Sequence, residues 1–204
     1  MSNQTPQTLA SYKRVFRAIC YFVCAMPIGG WLTHHRFAFI FPPLGNGALE
    51  GFATTTSTLL AGIAAILPWK LRINQNKDLI LASAFLLTLI STVLFFYLTQ
   101  EYVISVPLPN GSALTVSVGN VRSEFALSNF PETATDTELL QAEGPYEDQV
   151  QKLWTRASII SVRLRLFLTY LGWLVPLNLV LGILSQAEPA AAARKPKTSR
   201  PRSK

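Results

Sequence analysis

Charge is what this 204-residue sequence has least of: 14 % of its residues are Asp, Glu, Lys or Arg, while half are apolar. A soluble domain carries roughly a quarter charged residues. The shortage is concentrated, because Leu79 to Leu98 holds no charge at all. Uninterrupted runs of that length read as membrane-crossing helices, which argues against a soluble enzyme. Histidine and cysteine are scarce as well, at two each. His34 and His35 are adjacent, so they point to different faces of any helix and have no acidic or thiol neighbour to complete a metal site or a pH switch. They read as interface residues beside Trp31 and Arg36. Cys20 and Cys24 share a helix face inside the first apolar run, which suits packing better than a disulfide or a metal. Phosphate-binding glycine loops, a nucleophile elbow and a zinc-protease motif are all missing. Apolar runs without Asp or Glu offer no proton relay, and no inverted repeat suggests a transporter. The expectation is a non-enzymatic protein without a cofactor.

Four apolar runs remain to be placed: Val15 to Leu32, Phe52 to Trp69, Leu79 to Leu98 and Leu166 to Leu184. At 1.5 Å per residue each is long enough for a ~30 Å hydrocarbon core. Pro27, Gly29 and Gly30 should kink or fray the outer end of the first. The fold class expected is therefore an all-α membrane protein, a four-transmembrane-helix bundle with a small extracytoplasmic cap of β-hairpin and helix. The polar stretch before the first run lacks the small-residue cleavage pattern of a signal peptide.

Orientation comes from the basic residues. The N-terminal segment 1–14, the short loop with Lys70, Arg72 and Lys77, and the tail with Arg194, Lys195, Lys197, Arg200, Arg202 and Lys204 carry the excess, so both termini are expected inside. Such juxtamembrane clusters suit anionic lipid or a soluble cytoplasmic partner. They lie in loops and a tail rather than on a folded face, so nucleic-acid binding is not expected. Eight of the eleven carboxylates fall between Glu101 and Asp148, in the larger outer loop. Residues 187–204, rich in Ala, Pro, Lys and Arg, are expected to be disordered.

The outer loop, residues 99–153, should fold. Two alternating runs around Pro109-Asn110-Gly111 predict a hairpin over 102–119, with a third strand near Val121 to Leu127. After a polar stretch, Pro145 in a first-turn position followed by Glu147 and Asp148 predicts a helix. No breaker is visible between Val150 and Gly172, so one helix of about 40 residues over 145–186 is expected to run into the fourth span. On it Val150, Leu153, Ala157, Ile160, Leu164 and Asn178 keep a 3–4 spacing that would pack either within the subunit or as an oligomer seam, Asn178 fixing the register.

Two further sets of residues leave alternatives open. Arg156 and Arg163 share a face at the outer end of that helix, while Arg165 points about 200° from Arg163. They would line an anion-attracting vestibule, or reach outer phosphates, or pair with the acidic loop. The run from Thr54 to Thr58 would line a polar path, or bond to carbonyls one turn back and pack. Gly62 with Ala61, Ala64 and Ala65 adds a small-residue patch for close helix approach.

The layout resembles that of small bacterial four-span membrane proteins encoded beside a soluble partner, such as the membrane subunit of the Kiwa anti-phage system. The likeness lies in chain size, four spans, cytoplasmic termini, the outer loop between Leu98 and Leu166, the hairpin Tyr102 to Gly119 and the helix from Pro145. It implies an oligomeric sensor of phage attack in a bacterial inner membrane that engages a cytoplasmic DNA-binding effector. From the residues alone, the expectation is a sensor or scaffold that couples an outer domain to an inner partner. The alternative is an oligomeric pore that depolarises the membrane, lined by Thr54, Thr58, Arg156 and Arg163.

Overall fold

The computed structural model describes residues 15, 17–28, 41–45, 47–71, 77–108 and 111–186. Its elements in chain order are α1 (Arg17–Ile28), α2 (Gly47–Leu71), α3 (Lys77–Tyr102), β1 (Val103–Pro107), β2 (Ala113–Ser117), α4 (Glu124–Asn129), α5 (Asp136–Glu143), α6 (Glu147–Leu153) and α7 (Arg156–Gln186). Three of these, α2, α3 and α7, contain stretches long and apolar enough to cross a membrane: Leu49–Pro68, Asp78–Tyr102 and Arg156–Leu184. Of the first run expected to span, Arg17–Ile28 is helical, which accounts for about 18 Å of rise. The rest of its outer end lies outside the described residues. The described chain thus has three candidate spans and one short apolar helix.

Helix α7 is the centre of the bundle, with α2 and α3 packed on it. Tyr170 of α7 is fully buried and sits among Phe41, Phe95 and Trp173 at ring-centroid distances of 5.5, 5.8 and 5.8 Å. Cys20, Val23, Ala53, Ala61, Leu174 and Leu181 complete that core. Both cysteines are free, and Cys24 Sγ donates to Asn178 Oδ1 at 3.2 Å. Toward the far end of α7, Gly182 lies so close to α2 that a Cβ there would come 2.6 Å from the Ala65 carbonyl oxygen. The expected small-residue patch is realised at three of its four residues: Ala61 and Ala64 are buried and Ala65 meets Gly182, but Gly62 faces open space.

The outward faces of α2 and α3 expose Leu59, Ile63, Ile66, Phe85, Leu86, Leu89, Ile90 and Val93. Contiguous apolar surface of this extent is rare on a soluble monomer and is the ordinary complement of acyl chains. Pro68 lies inside α2 and Pro176 inside α7, positions that membrane helices tolerate when freed carbonyls find other partners. About two turns below Tyr170, Asn178 Nδ2 donates to Leu174 O at 2.9 Å, so its buried amide is satisfied within the helix.

The cap starts without a linker, since β1 follows α3 directly. β1 and β2 pair antiparallel from Val103↔Ser117 to Pro107↔Ala113. Beyond them Leu108 N donates to Ser112 O and Gly111 N to Leu108 O, with Gly111 at φ 79°. A glycine suits that left-handed position because it carries no Cβ. The expected hairpin over 102–119 is therefore present, with the paired strands occupying 103–107 and 113–117.

Three expectations for the loop need correction. No third strand forms near Val121 to Leu127: Arg122 makes one isolated bridge to Trp154, and Glu124–Asn129 is helix α4, capped by the Ser123 side chain. The polar stretch before Gly144 contains α5, opened by a reciprocal capping box in which Thr135 and Glu138 satisfy each other's backbone N–H. Pro145 precedes rather than opens the next helix, which begins at Glu147 after Tyr146.

The largest correction concerns the single helix expected over 145–186. It is broken at Trp154, which is extended at φ −123° and ψ 150° and separates α6 from α7. The segment 121–123 supplies the reason. Ser123 N donates to Leu153 O and Thr155 N to Val121 O, while the Ser123 hydroxyl donates to Lys152 O. These bonds absorb backbone groups that a continuous helix would pair internally. Burying the Trp154 ring against Val106, Val118, Ala126, Leu139, Leu140, Val150, Leu153 and Ile159 then holds the bend. Burial of an aromatic surface outweighs the few helical hydrogen bonds given up.

Candidate functional site

The cap meets the bundle around one side chain. Arg163, in the second turn of α7, is only 7 % exposed. An arginine so buried must have its charge and donors answered. Glu147, on the first turn of α6, answers the charge: Arg163 Nη1 donates to Glu147 Oε1 at 2.8 Å and Nη2 to Oε2 at 2.7 Å. Such bidentate geometry is the strong form of an ion pair. Arg163 Nε donates to Ser117 Oγ of β2 at 3.0 Å, and Gln151 Nε2 donates to Glu147 Oε1 at 3.0 Å. One guanidinium thus joins the central apolar helix α7 to the hairpin and to the last cap helix.

A fourth element closes on the pair. At Gly45, φ is 84°, and a Cβ there would come 2.3 Å from both Arg163 Nη2 and Glu147 Oε2. Only glycine allows the backbone to approach this way. The Glu50 carboxylate, 5 % exposed, accepts from the N–H groups of Leu44 and Gly45 at 3.1 Å each and so fixes that approach from the start of α2. Beside the pair lies a cavity of about 290 Å³ bordered by Gly45, Glu50, Thr115, Tyr146 and Glu147.

Burial pushes the Glu147 carboxyl up, but the hydrogen bonds from Arg163 and Gln151 and the arginine's charge outweigh it, so its pKa lies below the usual 4.5. A carboxyl held lower when folded contributes stability that is fully present above the unfolded value and is lost as pH falls through the folded one. Titration below pH 4.5 is therefore expected to release α6 from α7 while neutral and mildly alkaline pH leave the contact intact. Fluorescence of Trp154 in a chain with Trp31, Trp69 and Trp173 changed to Phe, followed as pH is lowered, checks this. In Glu147→Gln that acid transition should disappear.

The other residues singled out in the sequence divide as follows. Of the vestibule or pore set, Arg163 is engaged in the ion pair, the pairing with the acidic loop that was one of its alternatives, and Arg156 is exposed. Thr54 is buried with its hydroxyl on Glu50 O at 2.7 Å, and Ser57 bonds Thr54 O at 3.0 Å, the one-turn-back pattern. The Thr58 hydroxyl is buried without a hydrogen-bond partner. Of the seam set, Val150 and Leu153 belong to α6 and are fully buried inside the cap, and Asn178 is buried against α1, whereas Ala157, Ile160 and Leu164 are exposed on α7. The bend at Trp154 takes the first two off the face of the rest, so no continuous seam exists. Lys70 and Lys77 lie at helix ends with side chains that are not described, and Arg72 and Arg194 to Lys204 lie outside the described residues. Among the described residues, no group of three or more His, Cys, Asp or Glu could hold a metal ion.

Sequence reasoning missed Glu147 as the partner and Gly45 as the floor of the site. A signal for the first was present, since an arginine within an apolar stretch demands an acid and the segment between Leu98 and Leu166 holds most of them. Nothing in the sequence marks Gly45. Comparison with protein-family models, with curated proteins and with solved structures finds no match to this chain.

Proposed function

We propose that this chain is a non-enzymatic membrane sensor or scaffold in which the outer cap and the central helix α7 act as one lever. The observation that carries the reading is the Arg163–Glu147–Ser117 junction, which ties two cap elements to the helix that organises the bundle. A change imposed on the cap has a stiff route along α7 toward the other end of the bundle. There the reading places Lys70, Arg72, Lys77 and the tail from Arg194 to Lys204, whose charge suits a soluble partner or anionic headgroups. The distribution of basic residues supports cytoplasmic termini. On the resemblance of the sequence layout to the Kiwa membrane subunit, we further propose a bacterial inner membrane, a homo-oligomer and a role in defence against phage. The pore alternative is less favoured because Thr54 and Arg163 are turned into packing and pairing.

Purification in mild detergent from the native host, with the mass of the assembly measured, tests the proposal. A soluble partner in fixed stoichiometry, lost when 194–204 are deleted while membrane insertion is unchanged, is the expected result. Loss of nothing on deletion, or a homo-oligomer that conducts ions in a bilayer, would overturn it.

A further inference from the structure

The outer half of the α2–α7 pair is not closed. A cleft of about 270 Å³ opens between the two helices, lined by Leu44, Leu49, Phe52, Ala53, Ile160, Leu164 and Phe167 together with the stem of Arg163. Its rim is well exposed, Phe52 at 67 %, Ile160 at 56 % and Leu164 at 53 %. Toward the far end the helices come together where Gly182 meets the backbone of Ala65.

Three arginines mark the start of α7. Arg163 is consumed by Glu147 and Ser117. Arg165 lies about 200° round the helix from it. Arg156 is one turn above Ile160 on the cleft face, is exposed, and has no ion-pair partner among the described residues. An apolar slot topped by one free cation is complementary to an amphiphile with an anionic head.

We infer that this cleft is a lipid site, holding one acyl chain of an anionic glycerophospholipid whose phosphate is met by Arg156. The inference rests on α2 and α7 crossing a membrane and not on the sensor reading. A second copy of the chain suits the cleft less well. Close helix approach uses small residues, whereas the rim carries Leu49, Phe52, Ile160 and Leu164. A two-fold pairing of parallel copies through this face would also bring two Arg156 side chains to one depth, which like charges oppose.

The test uses the full-length chain reconstituted in nanodiscs of equal phosphatidylglycerol and phosphatidylcholine, followed by native mass spectrometry of what it retains. Retention of phosphatidylglycerol in preference to phosphatidylcholine is expected. Arg156→Gln should reduce that preference about fivefold, the weight of one arginine at an anionic surface. Leu164→Trp should fill the cleft and abolish retention of either lipid. Leu86→Trp, on the exposed face of α3, is the folding control and should change nothing. Equal retention of the two lipids, indifference to Arg156→Gln or Leu164→Trp, or a lipid-free dimer would each overturn the inference.

Discussion

Trp154→Ala is expected to unfold the cap while leaving the apolar helices in place. The ring is 1 % exposed and lies in a core with Val106, Val118, Leu139, Leu140 and Leu153. Truncating a buried tryptophan to alanine costs about 3–5 kcal/mol, and a cap of this size has little more than that to lose. The effect should exceed simple cavity formation, because Trp154 also holds the extended residue at which α6 gives way to α7. Without the ring, the bridge to Arg122 loses its cover, and residues 150–160 are free to straighten into the continuous helix that their local sequence favours. Limited proteolysis checks this: cleavage within 103–153 should become fast, while fragments containing α2, α3 and α7 stay protected. Trp154→Phe, which keeps most of the apolar area, should restore most of the resistance.

Glu147→Gln should have the second largest effect, of about 2–4 kcal/mol on the docking of the cap. The substitution keeps the shape of the side chain and removes the charge, so Arg163 is left nearly buried without a countercharge, with Ser117 Oγ and one amide oxygen as its neutral acceptors. Much of the loss belongs to that stranded guanidinium rather than to the missing attraction, which gives a second handle. Arg163→Met in the Glu147→Gln background should recover part of the stability, because an apolar side chain of similar length removes the unanswered charge. Thermal unfolding in detergent, scored for the two single variants and the double, measures the coupling between the two positions. A double variant no better than the worse single would contradict the ion pair as the source of the docking energy.

The three long apolar helices were legible because their signal is composition sustained over 18 or more residues. The hairpin was legible for a related reason: period-2 alternation on both sides of a glycine turn is a local pattern, and the strands fall inside the range it predicts. The break at Trp154 was not, since its causes are 30 residues away in Val121 and Ser123. A weak clue existed in Thr155, a residue type that starts helices, but Trp and Thr inside a helical pattern are ordinary. Helix α5 is the opposite case. The Thr135-x-x-Glu138 pair before Leu139 and Leu140 is a capping-box signature that a closer reading of the polar stretch would have used. At the site, burial demanded an acid for Arg163, yet eight carboxylates in the loop were equal on sequence grounds. Only the fold selects Glu147, and only the fold brings Gly45 beneath it.

The account stands on the cap and α7 moving as one body, and hydrogen exchange measured along the whole chain tests that most directly. Comparing the native chain with Glu147→Gln, the account predicts a joint loss of protection in α6, in β2 and down the outer half of α7 as far as Tyr170. A loss confined to α6, with α7 and β2 unchanged, would show that the cap is hung on the bundle without being coupled to it, and would contradict the lever.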